Sequence, residues 1–201
     1  MGGVGGGDDP RGPRLIMTDR QARHCGDEAG FARDLRDEGE PEAEFNPGIA
    51  ARFPRKNTAA GVLARDESGR ILFVCPTYKP FLEIPGGLVE DDESPLAACR
   101  REVREELGID VTVGRLLVVD WLPTHGVWRD SVQFVFDGGV LSRDQIGAIR
   151  LASDELSRFE FLALESAQSQ LRPSKARRIA LAHQAVSAGE TVYGEFGRRL
   201  G

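Results

Sequence analysis

Residues Gly87 to Ile109 read Gly-Leu-Val-Glu-Asp-Asp-Glu-Ser-Pro-Leu-Ala-Ala-Cys-Arg-Arg-Glu-Val-Arg-Glu-Glu-Leu-Gly-Ile, and the second part carries the start and stop signals of a helix. Ser94 suits the N-cap, Pro95 the position after it, and Gly108 the left-handed turn that ends a helix. At about 100° per residue, Leu96, Cys99, Val103 and Leu107 form one narrow apolar stripe, the side to be buried. Glu102, Glu105 and Glu106 gather on another side. Spacings of three and four residues bring such side chains to within about 5–6 Å at Cβ, so the carboxylates repel unless a cation sits among them. Closely spaced, anionic and oxygen-only donors describe a Mg²⁺ or Mn²⁺ site.

Taken alone, Arg-Glu-Val-Arg-Glu-Glu-Leu also reads as a solvated acidic helix whose glutamates are relieved by Arg100, Arg101 and Arg104. The longer stretch decides between the two. It resembles the signature of the Nudix hydrolase family, G-x5-E-x7-R-E-U-x-E-E-x-G-U with U aliphatic, at Gly87, Glu93, Arg101, Glu102, Val103, Glu105, Glu106, Gly108 and Ile109. Seven fixed letters at fixed spacing arise by chance in about one chain per million of this length, at typical residue frequencies of about 7%. The resemblance is therefore specific.

The chain of 201 residues is long enough for one catalytic domain with extensions. Its composition, 40% hydrophobic and 29% charged, is that of an ordinary globular protein. A net charge of -6 argues against binding nucleic acid polymers or anionic membranes, and makes an anionic substrate depend on local positive charge or metal. Cys25, Cys75 and Cys99 are odd in number and lack metal-ligand spacing, so reduced thiols are expected. The N-terminus has neither a basic start nor an apolar core, so no signal peptide or membrane span is expected and the location is read as cytoplasmic.

Residues 1–50 are expected to form a flexible arm, glycine-rich at first and then charged, with a marginal helix near Glu28 to Arg36 weighed against disorder. The domain is placed at 51–190 and a C-terminal tail at 191–201. Ala59 to Ala64 and Ile71 to Cys75 read as a hairpin around Asp66-Glu-Ser-Gly-Arg70. A short extended piece, Phe81 to Ile84, leads into Pro85-Gly86-Gly87, where paired glycines allow close approach of backbone to an ion or phosphate. Val111 to Leu122 and Ser131 to Phe136 read as strands flanking the loop Pro123 to Asp130. Ser142 to Ile149 reads as a short helix, Phe159 to Leu162 as a strand, Glu165 to Leu171 as a helix, and Ser174 to Ala188 as the last helix. Strands alternating with helices predict an α/β fold, an α/β/α sandwich with a mixed β-sheet. Resemblance to the Nudix family implies the same architecture.

The resemblance further implies hydrolysis of a diphosphate linkage in a nucleoside diphosphate bonded to another group, with Glu102, Glu105 and Glu106 as metal ligands. Glu93 and Arg101 then brace the loop and helix, and the Gly86 carbonyl is a candidate extra ligand. The general base stays open between a signature glutamate and Asp144, Asp154 or Glu155 on later segments. Trp128 and Tyr78 are candidates for stacking on a nucleobase, with Trp121 read as core, and His125 and Arg129 are candidates for phosphate contact. Arg172, Lys175, Arg177 and Arg178 read as the wet face of a helix. Pro123 follows the signature at about the distance at which ADP-ribose-hydrolysing members resemble one another in carrying a proline, which makes ADP-ribose or a nucleotide sugar the first substrate to try. A (deoxy)nucleoside triphosphate is the alternative, and a non-catalytic nucleotide sensor a further one. The expected partner is a small nucleotide, with no nucleic acid polymer and no membrane; a homodimer is left open.

Overall fold

A computed structural model describes residues 28–39, 44, 46–152 and 154–200. The glycine-rich start and Cys25 lie outside them. A helix, α1 (Glu28–Asp37), does form where a marginal one was weighed. The domain then runs β1 (Asn57–Arg65), β2 (Ile71–Pro76), β3 (Gly86–Leu88), α2 (Pro95–Leu107), β4 (Leu116–Leu122), β5 (Ser131–Val140), α3 (Arg143–Ala148), β6 (Leu156–Leu162), α4 (Leu164–Ala167), α5 (Pro173–Ala188), β7 (Val192–Glu195) and β8 (Arg198–Arg199).

The strands form one mixed sheet in the order β6-β2-β1-β5-β4-β7-β8, with β3 added to β1. β1 pairs with β5, and β4 with β7, in parallel; the other pairings are antiparallel. Because side chains alternate across a strand, a sheet covered on both faces needs strands that are apolar throughout. β2 meets that condition: all of Ile71 to Pro76 is buried. Leu72 and Val74 join Ala60, Val62 and Phe136 against Cys99, Val103 and Leu107 of α2. Ile71 and Phe73 join Leu63, Leu117 and Val135 against Ile179, Ala182 and Ala185 of α5. The sheet is thus sandwiched between α2 and α5, as the pattern of elements predicts.

Several boundaries differ from the sequence reading. Pairing in β4 begins at Leu116, not Val111, because Gly114 donates to the Asp137 carbonyl at 2.7 Å and the chain before it runs irregularly, with Val113 still buried. β5 extends to Val140, and β6 starts at Leu156. Of the extended piece Phe81 to Ile84, Glu83 pairs with Val74. The tail expected over 191–201 is corrected: β7 adds to β4 and β8 folds back on β7. A turn through Phe196 (φ 53°) and Gly197 (φ 74°) makes this hairpin, and Asp120 of β4 accepts the Gly197 N–H at 2.8 Å. Among the described residues, no helix is long and apolar enough to cross a membrane.

Candidate active site

α2 is set in place from both ends. The Ser94 hydroxyl accepts the Ala97 N–H at 3.1 Å, Pro95 opens the first turn, and Gly108 closes the helix at φ 66°. With the axis fixed, Arg101 points back towards the loop that enters the helix. Its Nε and Nη2 each donate to Glu93 at 2.9 Å, a bidentate fork, and Nη2 also donates to the Leu88 carbonyl at 3.0 Å. Nη1 donates to Glu102 at 2.9 Å and to Glu105 at 3.0 Å. The bonds to Glu93, then those to Glu102 and Glu105, raise Arg101 above the ordinary guanidinium range. One side chain therefore fastens the loop to the helix and orients two of the three signature glutamates.

The paired glycines receive the other side of the same helix. Gly86, at φ 143°, lies so close to β1 that a Cβ there would overlap the Ala60 carbonyl. Its N–H donates to Glu106 at 2.8 Å. A Cβ on Gly87 would overlap the Glu102 carboxyl group. Gly87→Ala is therefore expected to expel Glu102 from its place beside Arg101 and to cut turnover by at least about tenfold, with a small change in melting temperature. Steady-state kinetics beside a thermal melt check this; a Gly87→Ala enzyme of full activity would show that the Glu102 position is dispensable.

The site is more acidic than its cations offset. Glu106 is 9% exposed, and burial pushes its carboxyl up to about 7. The Gly86 N–H and the Lys79 charge oppose that rise, whereas the charges of Glu102 and Glu155 add to it. Burial likewise raises Glu102, against the pull of Arg101 and with the push of Glu105 and Glu155. Among the described residues, no three His, Cys, Asp or Glu gather round one point closely enough to hold an ion. Arg101 stands between Glu102 and Glu105, and the Gly86 N–H occupies Glu106. The donor set is nevertheless all oxygen, and its buried carboxylates repel one another, which suits a hard divalent cation. Glu105, 60% exposed, is free to exchange Arg101 for such an ion. Gly86 enters the site here through its N–H, where the sequence reading looked to its carbonyl.

Of the base candidates, Glu155 is the one whose charge acts on both Glu102 and Glu106. Its backbone is tied to the end of β2 by the Thr77 N–H, 2.8 Å from the Glu155 carbonyl. Asp144 lies in the first turn of α3, and Asp154 is exposed beside Glu155. Tyr78 is 73% exposed on the loop after β2, with Lys79 5.2 Å from its ring centroid. His125 and Trp128 exchange backbone bonds across a tight turn, and Trp128 and Arg129 are exposed. That loop sits at the Asn57 end of β1, tied there by the Lys56–Asp130 pair, whereas Gly86 lies opposite Gly61. Lys56 also rims a groove of about 630 Å³ over Thr58, Val132 and Phe134, which reaches Glu93. Trp121, read as core, is half-buried and donates to Asp130 at 3.3 Å.

The reading of Arg172, Lys175, Arg177 and Arg178 as a wet helix face is corrected for Lys175 and Arg178, which turn inward, whereas Arg172 is exposed. Arg178 is buried against Asp120 at 2.8 Å, Lys175 is bonded to Glu83, and Arg172 and Arg177 lie over the rings of Phe81 and Phe196. Sequence reasoning passed over Lys79 and Glu83, which pair with each other four residues apart; Lys175 joins them from a segment some ninety residues away, which no local pattern displays. Cys75 and Cys99 are free and buried, and burial pushes the Cys99 thiol up to about 12.

Comparison with known proteins agrees with this geometry. A family model described as NUDIX domain matches residues 55–182. A MutT-like protein of Streptomyces ambofaciens is 38% identical over 102 residues, covering 50% of this chain and 66% of that protein. An 8-oxo-dGTP diphosphatase of Proteus vulgaris is 57% identical over 37 residues, 18% of this chain and 33% of that protein. The chain therefore spans less than two thirds of either relative. The crystal structure of a MutT protein from Methanosarcina mazei Go1 superposes with a TM-score of 0.54 at 22% identity, covering 69% of this chain and all of that one, and so shares the fold.

Proposed function

We propose that this chain, which belongs to the Nudix family, hydrolyses a diphosphate linkage in a nucleoside diphosphate joined to a further group, using Mg²⁺ or Mn²⁺ held by Glu102, Glu105 and Glu106. One observation carries the reading: two carboxylates of one helix, Glu102 and Glu106, are lodged against the paired glycines of β3, in a cluster whose negative charge its own cations leave uncompensated. Once bound, a divalent ion neutralises phosphate oxygens and acidifies a water. The chain's own part is positional. Arg101, forked on Glu93, holds Glu102 beside Gly87 and binds Glu105 at the rim, and Gly86 fixes Glu106. The base in this reading is a signature glutamate or Glu155, whose backbone is tied to the end of β2 by the Thr77 N–H, and it would take the proton of the attacking water at its carboxylate. A nucleotide sensor without catalysis has no need of the full set of signature acids, all of which are present.

ADP-ribose or a nucleotide sugar is the first substrate class, on the strength of Pro123 at the mouth of the Trp128 loop; a (deoxy)nucleoside triphosphate is the rival. The test is purified protein with Mg²⁺, with Mn²⁺ and with excess chelator, against ADP-ribose, nucleotide sugars, nucleoside triphosphates and dinucleoside polyphosphates, with products identified. Turnover is expected to need the metal, and ADP-ribose to yield AMP and ribose 5-phosphate without free pyrophosphate. Full activity in chelator would overturn the metal assignment. Triphosphates turned over far faster than every diphosphate-linked sugar, with Trp128→Ala making no difference, would overturn the substrate class alone.

A further inference from the structure

Between β4 and β5 the chain holds an apolar tip out in solvent: Val127 is 90% exposed and Trp128 66%. The tip is fastened on both sides. His125 and Trp128 exchange backbone bonds at 3.0 and 3.2 Å, and Gly126 supplies the left-handed turn between them at φ 60°. Asp130, at its base, pairs with Lys56, accepts the Asn57 N–H at 3.2 Å through its carbonyl, and accepts Trp121 Nε1 at 3.3 Å. An aromatic side chain on a backbone fixed in this way loses little freedom when it is covered, which is the condition for an interface anchor.

Beside the base of the tip lies the groove of about 630 Å³. Lys56 both rims the groove and anchors the tip, and Val132 of the groove floor follows Asp130 by two residues. The floor is apolar, from Val132 and Phe134, with Leu88, 59% exposed, at its edge. One wall is acidic, from Glu90, Asp91 and Asp92, all exposed. The molecule's own tip does not fill the groove, for neither Val127 nor Trp128 lines it, and the bonds of Asp130 to Lys56 and Asn57 keep the loop where it is. Arg129, next to Trp128, is exposed; among the described residues it has no ion pair, and neither have Glu90, Asp91 and Asp92.

We propose that the groove receives the tip of a second copy of this chain, with Trp128 over Phe134 and Leu88 and Arg129 against the acidic wall, in a two-fold contact where each copy gives one tip and takes one. Such an isologous contact needs knob and hole side by side on one surface, and their shared Lys56 puts them there. Tryptophan and arginine are the side chains most enriched among interface anchors, and here they meet an apolar floor and an unpaired acidic wall in the matching order. A nucleic acid or another anionic partner is repelled by that wall. The wall runs on to Glu93, which forks Arg101, so the contact also steadies the loop that enters α2. It stands whether or not the chain hydrolyses diphosphates.

The test is made on the full chain without nucleotide, so that any contact of Trp128 with a substrate does not enter. Sedimentation velocity between about 1 and about 100 µM is expected to show a reversible monomer–dimer equilibrium. Trp128→Ala is expected to weaken the dimer by at least about thirtyfold. Arg129→Glu is expected to weaken it as well, and Asp91→Arg added to the same chain to recover it. All three side chains are exposed, so the variants are expected to fold as the wild type does. In hydrogen exchange, the amides of Leu88 to Asp92 and of His125 to Arg129 should slow together as the concentration rises. A monomer at every concentration would overturn the proposal, as would a dimer indifferent to both Trp128→Ala and Arg129→Glu. A monomer in which added ADP-ribose or pyrophosphate slows the amides of Leu88 to Asp92 would overturn it too, and would give the groove to a small ligand.

Discussion

Replacing Glu106 by Gln is expected to lower turnover by at least about a hundredfold while the protein stays folded. Gln keeps the size of the side chain and can still accept the Gly86 N–H, 2.8 Å from Glu106 in the wild type, so the fastening of α2 to β3 survives. What is lost is a negative charge at the point where a divalent ion is expected. The same substitution predicts a change in pH dependence, and its sign follows from burial. The carboxyl of Glu106 is pushed up to about 7 from the ordinary value of 4.5, so between these pH values the native state binds more protons than the unfolded chain. Stability contributed by the protonated form is complete below about 4.5 and is lost as the pH rises through about 7. Thermal melts of the metal-free wild type should therefore fall between pH 5 and 8, and Glu106→Gln should flatten that decline. A steep fall retained in the variant would place the titration elsewhere. A collapse of the melt at every pH would make Glu106 structural.

Helix α2 was legible because its determinants are local. Ser94, Pro95 and Gly108 act within one turn of the helix ends, and Leu107, Val103 and Cys99 need only a period of 3.6 residues to be recognised as the buried stripe. The paired glycines were legible for the same reason. The placement of the distant charges was not. Lys175 and Arg178 have the spacing of a solvated helix face, and only the arrival of Glu83 from the loop after β2 and of Asp120 from β4 turns them inward. β7 and β8 were missed because strands of four and two residues are too short to show alternation, and Gly194 within β7 and Gly197 between the two read as a loose end. Both errors have one origin: these segments take their structure from partners far away in the chain.

The second large effect is on stability. Asp120 is wholly buried in β4; one of its oxygens accepts Arg178 Nε at 2.8 Å and the other the Gly197 N–H at 2.8 Å. Arg178 is 5% exposed, and beyond this pair it has a weaker bond to Gln133 at 3.4 Å. Asp120→Ala thus leaves a guanidinium uncompensated in the interior and removes the acceptor of a buried N–H in the turn between β7 and β8. Breaking a buried pair by deleting one partner costs about 3–5 kcal/mol. For a chain of this size that is a fall in melting temperature of about 6–20 °C, read by calorimetry or circular dichroism. Taking away the second charge as well separates the pair from the packing: Asp120→Leu with Arg178→Met should recover most of the loss, since an apolar pair of similar volume is often no worse than a buried ion pair. The Gly197 N–H stays without its acceptor in that double variant, so exchange of the amides of Val192 to Glu195 should remain faster than in the wild type even where the melt is restored. A melt of Asp120→Ala within about 2 °C of the wild type would mean that Arg178 finds water or another acceptor at little cost. The C-terminal hairpin would then be held by its strand pairing with β4 alone, and α5, which presents Lys175, would owe its position to the apolar contacts of Ile179, Ala182 and Ala185.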